Sequence, residues 1–297
     1  MTSTDLATYC RYLTYTNSNA FPYAQIQLAG RTVSNLSEFQ SKRMEVFIEH
    51  LSAFPLPELI HFKGRLTTPD IRSPKGMTRH RQHVAGSFAA SRIGFYMDTL
   101  RSLEAERVRI GYETFVSHKA YKRLVGGDPI EAETARRAVV SGVGFQDITF
   151  HFWTICVAKI SRLLELAEKH SGYKIPSADW SILESYRPLR NFYEHVETEM
   201  PGSKGRSGAV TEIEDDESWL VRVGFETDGS GRILIAGEAV DVTSRGLASV
   251  EDVVRRSEEG MRKSLLMIVR SYLASRPDRI PSPVDVPLIP VVKVSVD

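Results

Sequence analysis

Apolar side chains return every three or four positions along most of this chain, a spacing that predicts helices over much of its length. From Ser34, the series Leu36, Phe39, Met44, Phe47 and Leu51 marks an amphipathic helix that stops before Pro55. Residues 61–78, with Pro69, Pro74 and Gly76, read as a broken and basic connection. A second helical stretch covers 79–124, with a break expected at Gly111, and Gly126-Gly127 ends it. Asp128 and Pro129 open a third, which Val139, Val143, Ile148, Phe152, Ile155, Ile160 and Leu164 carry to His170, before Ser171-Gly172. A run of about forty residues exceeds most globular helices, so a kink is expected at 142–144, where two glycines fall. Ser177 or Asp179 is placed to cap a helix through Trp180 and Leu183. Pro188 interrupts that helix, and positions 189–200 continue until Pro201-Gly202.

Alternation replaces the helical period over 208–243. Trp219-Leu220-Val221-Arg222-Val223, the turn Asp228-Gly229-Ser230-Gly231, and the apolar positions at 233–235 and 239–242 predict strands. Ser249 with Asp252 three residues on resembles a capping box, opening a final helix to about Ser275. Pro277, Pro281, Pro283, Pro287 and Pro290 make the tail extended. Positions 1–33 read as loops with a short strand near Ile26. The fold class expected is mainly α, an antiparallel helical bundle with a small β-hairpin or sheet inserted before the last helix. The organisation read from the sequence is N-terminal loops plus a helix over 1–78, the bundle over 79–275 with its β excursion at 208–243, and a Pro-rich extended tail over 276–297.

Composition narrows the classes of function. Hydrophobic residues make up 42% of the 297 and charged residues 25%, enough for a buried core. The net charge of +1 argues against a general nucleic-acid binder, so any such contact must come from a local patch. The two cysteines, Cys10 and Cys156, are far apart and lack metal-ligand spacing, which excludes a disulfide framework and a multi-cysteine zinc site. Positions 1–11 lack the charged-then-apolar order of a signal peptide, and no run approaches the roughly 18 apolar residues of a membrane span. The expectation is a soluble cytoplasmic protein with no membrane partner.

The stretch Arg190-Asn191-Phe192-Tyr193-Glu194-His195 carries the chemistry. At about 100° per residue, Leu189, Phe192, Tyr193, Val196 and Met200 share one stripe, the core face. Arg190, Asn191, Glu194, His195 and Thr198 share the other, where Asn191 neighbours His195 and Arg190 neighbours Glu194. A guanidinium, an amide and an imidazole on one surface suit attack on a phosphodiester. Histidine moves a proton near neutral pH, and arginine holds phosphate oxygens and stabilises added negative charge. No metal or other cofactor is needed for that division of labour.

At these residues the chain resembles the HEPN superfamily of helical-bundle proteins, whose signature is Arg, four to six residues, then His, often with Asn directly after the Arg. Arg190-Asn191 followed by His195 matches that form. The resemblance implies a metal-independent endoribonuclease, dimeric so that two such helices meet across one RNA cleft. It assigns Arg190 to the phosphate, Asn191 to orientation and His195 to proton transfer. The family setting also implies a toxin or antiphage defence effector with an antitoxin or defence partner. A second reading is a non-catalytic HEPN-fold dimerisation or partner-binding module. The acidic residues at 212–217 and Glu197-Thr198-Glu199 after the motif favour it, since they would repel RNA.

Other candidates weigh less. Arg43 with His50 also satisfies the loose spacing, but Met44 follows the arginine. His80-Arg81-Gln82-His83 offers two imidazoles without a nearby carboxylate, so no metal site is assigned. Lys63, Arg65, Arg72, Lys75, Arg79, Arg81 and Arg92 stand against only Asp70 over 61–92, the one strongly basic stretch and the candidate RNA-contacting surface. His151 and Trp153 are expected in the core or at an interface. Gly142-Val143-Gly144 lacks the strand and helix context of a phosphate loop.

Overall fold

The computed structural model describes residues 27–28, 31–32, 36–68, 72–194, 210–215, 218–223, 226–227, 232–235 and 238–276. Its elements in chain order are β1 (Gln27–Leu28), β2 (Arg31–Thr32), α1 (Leu36–Ser52), α2 (Leu56–Thr67), α3 (Pro74–Leu124), α4 (Pro129–Ser171), α5 (Ser177–Glu184), α6 (Arg187–Glu194), β3 (Val210–Asp215), β4 (Ser218–Val223), β5 (Glu226–Thr227), β6 (Ile233–Ile235), β7 (Glu238–Val240) and α7 (Ser244–Ala274). The fold is mainly α with small antiparallel sheets before the last helix. No helix among the described residues is long and apolar enough to cross a membrane.

The chain divides into two compact units, residues 1–54 with 266–297 and residues 55–265. In the first, β1 pairs antiparallel with β2, and α1 buries Phe47 and Leu51, two of the positions its periodicity marks as apolar. Val269 and Leu273 of the same unit are also buried. The Pro-rich tail beyond Arg276 and the cysteine at position 10 lie outside the described residues.

The second unit is built on α3 and α4, which pack against each other along an antiparallel hairpin. Gly126, at φ 89°, makes the turn, and the Asp128 carboxylate accepts from the backbone N–H of Ile130 at 2.8 Å and of Glu131, with Pro129 in the first turn. Gly172, at φ 74°, closes α4. One expectation fails along this hairpin: no break occurs at Gly111, and α4 likewise runs through Gly142 and Gly144 as one helix. A side chain at 142 would collide with Thr114 and one at 111 would press on Gln146, so these glycines let two helix backbones approach closely.

Other boundaries also move. The connection expected over 61–78 is largely helical. Pro57 enters the first turn of α2, and Leu56, Leu59 and Ile60 are buried with helical spacing before Pro74 opens α3. Neither Ser177 nor Asp179 caps α5, which starts after Pro176. Asp179 is instead buried and accepts a charged hydrogen bond from Arg256 at 2.6 Å. The capping box at Ser249 is absent because α7 begins at Ser244. Asp241 holds that start, accepting from the Thr243 N–H at 3.1 Å and from Arg245 Nε at 2.7 Å, while the Ser249 hydroxyl donates back to the Arg245 carbonyl.

The β excursion forms as expected. β3 pairs antiparallel with β4, and β6 pairs antiparallel with both β5 and β7; the expected turn at 228–231 lies outside the described residues. Ile233, Ile235 and Val240 are buried. β7 contacts α6, which also packs on α4. The core of this unit includes Leu59, Ile93, Leu100, Trp153, Ile160, Leu164 and Leu189, all essentially solvent-free. That packing fixes α6 in place.

Candidate active site

Pro188 lies in the first turn of α6, where its missing N–H costs nothing, and the helix then presents two faces. Leu189 and Phe192 are buried, as the periodicity predicts. Tyr193 fastens the same side to α4: its hydroxyl donates to the Asp147 carboxylate at 2.7 Å, and its ring stacks on His151 at 4.7 Å and 7°. Burial and the Asp147 carboxylate push the Tyr193 phenol well above its ordinary range, so it stays a neutral donor. His151 is thus a packing residue of α4, and Trp153 is fully buried.

Asn191 faces solvent, while Arg190 sits at the edge of the buried face, beside α4. The Arg190 side chain keeps 33% of its surface accessible. Arg190 Nη2 donates to Asn191 Oδ1 at 3.3 Å. Its Nε lies 3.5 Å from Glu194 Oε2, a loose ion pair that leaves the buried Nε without a hydrogen bond among the described residues. The guanidinium lines a cleft of about 190 Å³ with Thr154, Ser161, Arg162, Leu183, Tyr186 and Arg187, and Glu165 and Glu184 stand among them. Glu165 is matched by Lys169 at 2.8 Å and Glu184 by Arg187 at 3.9 Å. Three arginines therefore line one concavity. His195, the third residue of the motif, lies outside the described residues, as do Val196, Thr198 and Met200.

The basic stretch separates into two groups. Arg65, Arg72, Lys75, Arg81 and Arg92 are exposed on α2, at the start of α3 or just before it. Lys63 and Arg79 instead line a cavity with His83 and His170 that sequence reasoning did not identify. The signals were the His80-Arg81-Gln82-His83 spacing and the basic stretch that holds Lys63 and Arg79; His170 arrives from a distant part of the chain. No three His, Cys, Asp or Glu side chains among the described residues converge in a metal-holding group. Cys156 is buried, and desolvation pushes its thiol up to about 11, so it is inert as a nucleophile.

Compared with known proteins, the chain matches no family model, no curated protein and no solved structure at a significant level.

Proposed function

We propose that this chain is a metal-independent endoribonuclease of the HEPN type, with Arg190, Asn191 and His195 as its catalytic residues. The observation that supports it is Arg190 itself, anchored from behind by Leu189 and Phe192, sharing a cleft with Arg162 and Arg187, and holding an Nε without a hydrogen bond among the described residues. In the reaction the 2′-hydroxyl of RNA attacks the adjacent phosphorus while His195 removes its proton. Arg190 stabilises the charge that builds on the phosphorane oxygens. The P–O5′ bond breaks, leaving a 2′,3′-cyclic phosphate on one fragment and a 5′-hydroxyl on the other. The departing oxygen needs a proton, which the His195 of a second copy supplies in a symmetric dimer. RNA is the partner this reading requires; a toxin or defence role, with an antitoxin or defence protein bound, belongs to the same proposal. Incubating purified protein with total RNA and transfer RNA in the presence of chelator tests it.

A second reading, a non-catalytic dimerisation or partner-binding module, is favoured by the far half of the α3–α4 hairpin. No residue over 111–148 is buried, so roughly 20 Å of paired helix extends past the core. Tyr112, Phe115, Val116, Phe145 and Ile148 are exposed along it. Apolar side chains of this size grouped on one arm mark an association surface. The expected occupant is a second copy. Light scattering at micromolar protein should give a dimer mass, and Phe115→Glu with Phe145→Glu should give a monomer of unchanged helix content. A wild-type monomer that still cleaves RNA would rule the dimer out.

A further inference from the structure

We propose that the cavity between α2, the start of α3 and the end of α4 binds the phosphate group of a small phosphate monoester. Lys63, Arg79 and Lys169 supply its charge, and His83 and Thr68 its short-range donors. The site does not involve α6, so it stands or falls independently of the ribonuclease reading.

The cavity measures about 650 Å³, within the range of small-molecule sites and large enough for a mononucleotide. Its lining holds three cationic side chains, two imidazoles, two hydroxyls and an amide, and no carboxylate among the described residues. That is a donor set for an anion. Glu165, just outside, pairs with Lys169 at 2.8 Å. Lys63 Nζ donates to the His170 carbonyl at 3.1 Å, which fixes the ammonium between α2 and α4.

Two further features point to a ligand. Thr68 is buried, only 4% exposed, and its hydroxyl has no hydrogen-bond partner among the described residues. His83 Nδ1 is likewise buried and unpartnered among them. Buried polar atoms are ordinarily satisfied, so two orphans lining one cavity call for an external acceptor. The imidazoles are also seated by glycines. A Cβ on Gly64 would fall 2.5 Å from the His83 side chain, and one on Gly86 would collide with His170. The two rings meet edge to face at 5.6 Å.

Burial, then Lys63, His170, His80 and His61, push His83 down to about 4. Burial, Lys63 and Lys169 lower His170. Around these rings, Lys63 and His61 stand on α2, Arg79 and His80 on α3, and Lys169 on α4, where Lys169 pairs with Glu165, and Glu168 pairs with Lys174. Burial first, and then the surrounding positive groups, keep a further proton off His83 in the free cavity. A bound anion reverses that balance and raises its pKa, so binding takes up a proton and strengthens as pH falls.

Titration calorimetry with adenosine 5′-monophosphate, ribose 5-phosphate and adenosine tests the site on the full chain. Both phosphates should bind and adenosine should not. Arg79→Met with Lys169→Met, both exposed, should weaken binding at least tenfold without unfolding the protein, and Lys63→Met should weaken it further. Arg190→Lys should leave it unchanged. Sulfate, whose charge is constant across the range, should bind more tightly at pH 5.5 than at pH 7.5. His83→Gln should shrink that difference, and the His83 Cε1–H resonance should shift in the wild type. Failure of both phosphates to bind at millimolar concentration would overturn the proposal. So would equal binding of adenosine, or a double variant that binds as the wild type does. Should Lys63→Met unfold, the double variant alone decides.

Discussion

Arg190→Lys is expected to reduce RNA cleavage by about 10²–10³-fold, the usual cost of removing one preorganised donor to a developing oxyanion. The lysine keeps the charge but not the planar fork, so it cannot hold two phosphoryl oxygens while remaining beside Asn191. His195→Ala should lose about 10²–10⁴-fold, the range for a general acid–base group. Products should end in 2′,3′-cyclic phosphate, and DNA, lacking the 2′-hydroxyl, should stay intact. Arg43→Ala and His50→Ala, the other pair with similar spacing, should cleave as the wild type does. His50 sits on α1 against Phe54, 5.1 Å between ring centres, in the unit that does not contain Arg190. The Arg190–Glu194 pair is partly exposed and worth little to stability, so Arg190→Lys should melt within about a degree or two of the wild type. Equal inactivity of wild type and His195→Ala across total RNA and transfer RNA would leave the module reading. Equal activity would place the chemistry elsewhere.

The sequence disclosed whatever depends on neighbours along the chain. Asp128 and Pro129 open α4, Gly126 and Gly172 end helices, and Leu189 with Phe192 defines the buried face of α6, all from local pattern. It misled where a residue answers to a distant partner. Gly111 looks like a helix breaker until the second helix is in place, when it and Gly142 become points of close approach. Asp179 looks like a cap until Arg256, 77 residues away, claims it. Ser249 and Asp252 have capping-box spacing, yet α7 already starts at Ser244. The candidate site divides the same way. Arg190, Asn191 and Arg187, three residues before Arg190, are local neighbours on one helix, but the Arg162 that joins them, and the Asp147 that fastens Tyr193 from 46 residues away, follow only from folding. The cavity around His83 and His170 is wholly long-range, and the basic stretch gave only two of its members, Lys63 and Arg79.

Trp153→Ala should destabilise the unit formed by residues 55–265 by about 3–5 kcal/mol, read as a fall in urea midpoint at unchanged slope. Trp153 is completely solvent-free at the centre of α4, amid a helix that also buries Thr154, Cys156, Val157 and Ile160. Removing the indole forfeits its transfer from water and leaves a large void that packed neighbours fill only in part. Its sequence neighbour is the control. Phe152 is also a large aromatic on the same helix, but it is 52% exposed, so Phe152→Ala should shift stability by no more than about 0.5 kcal/mol. The contrast separates burial from aromatic character, since hydrophobicity, helix and position along the chain are nearly shared. Trp153→Phe, which refills much of the space, should lose clearly less than the alanine variant. Should Trp153→Ala and Phe152→Ala prove equally mild, the packing of α4 behind α6 is not as described, and the anchoring of Arg190 would have to be rebuilt on other contacts.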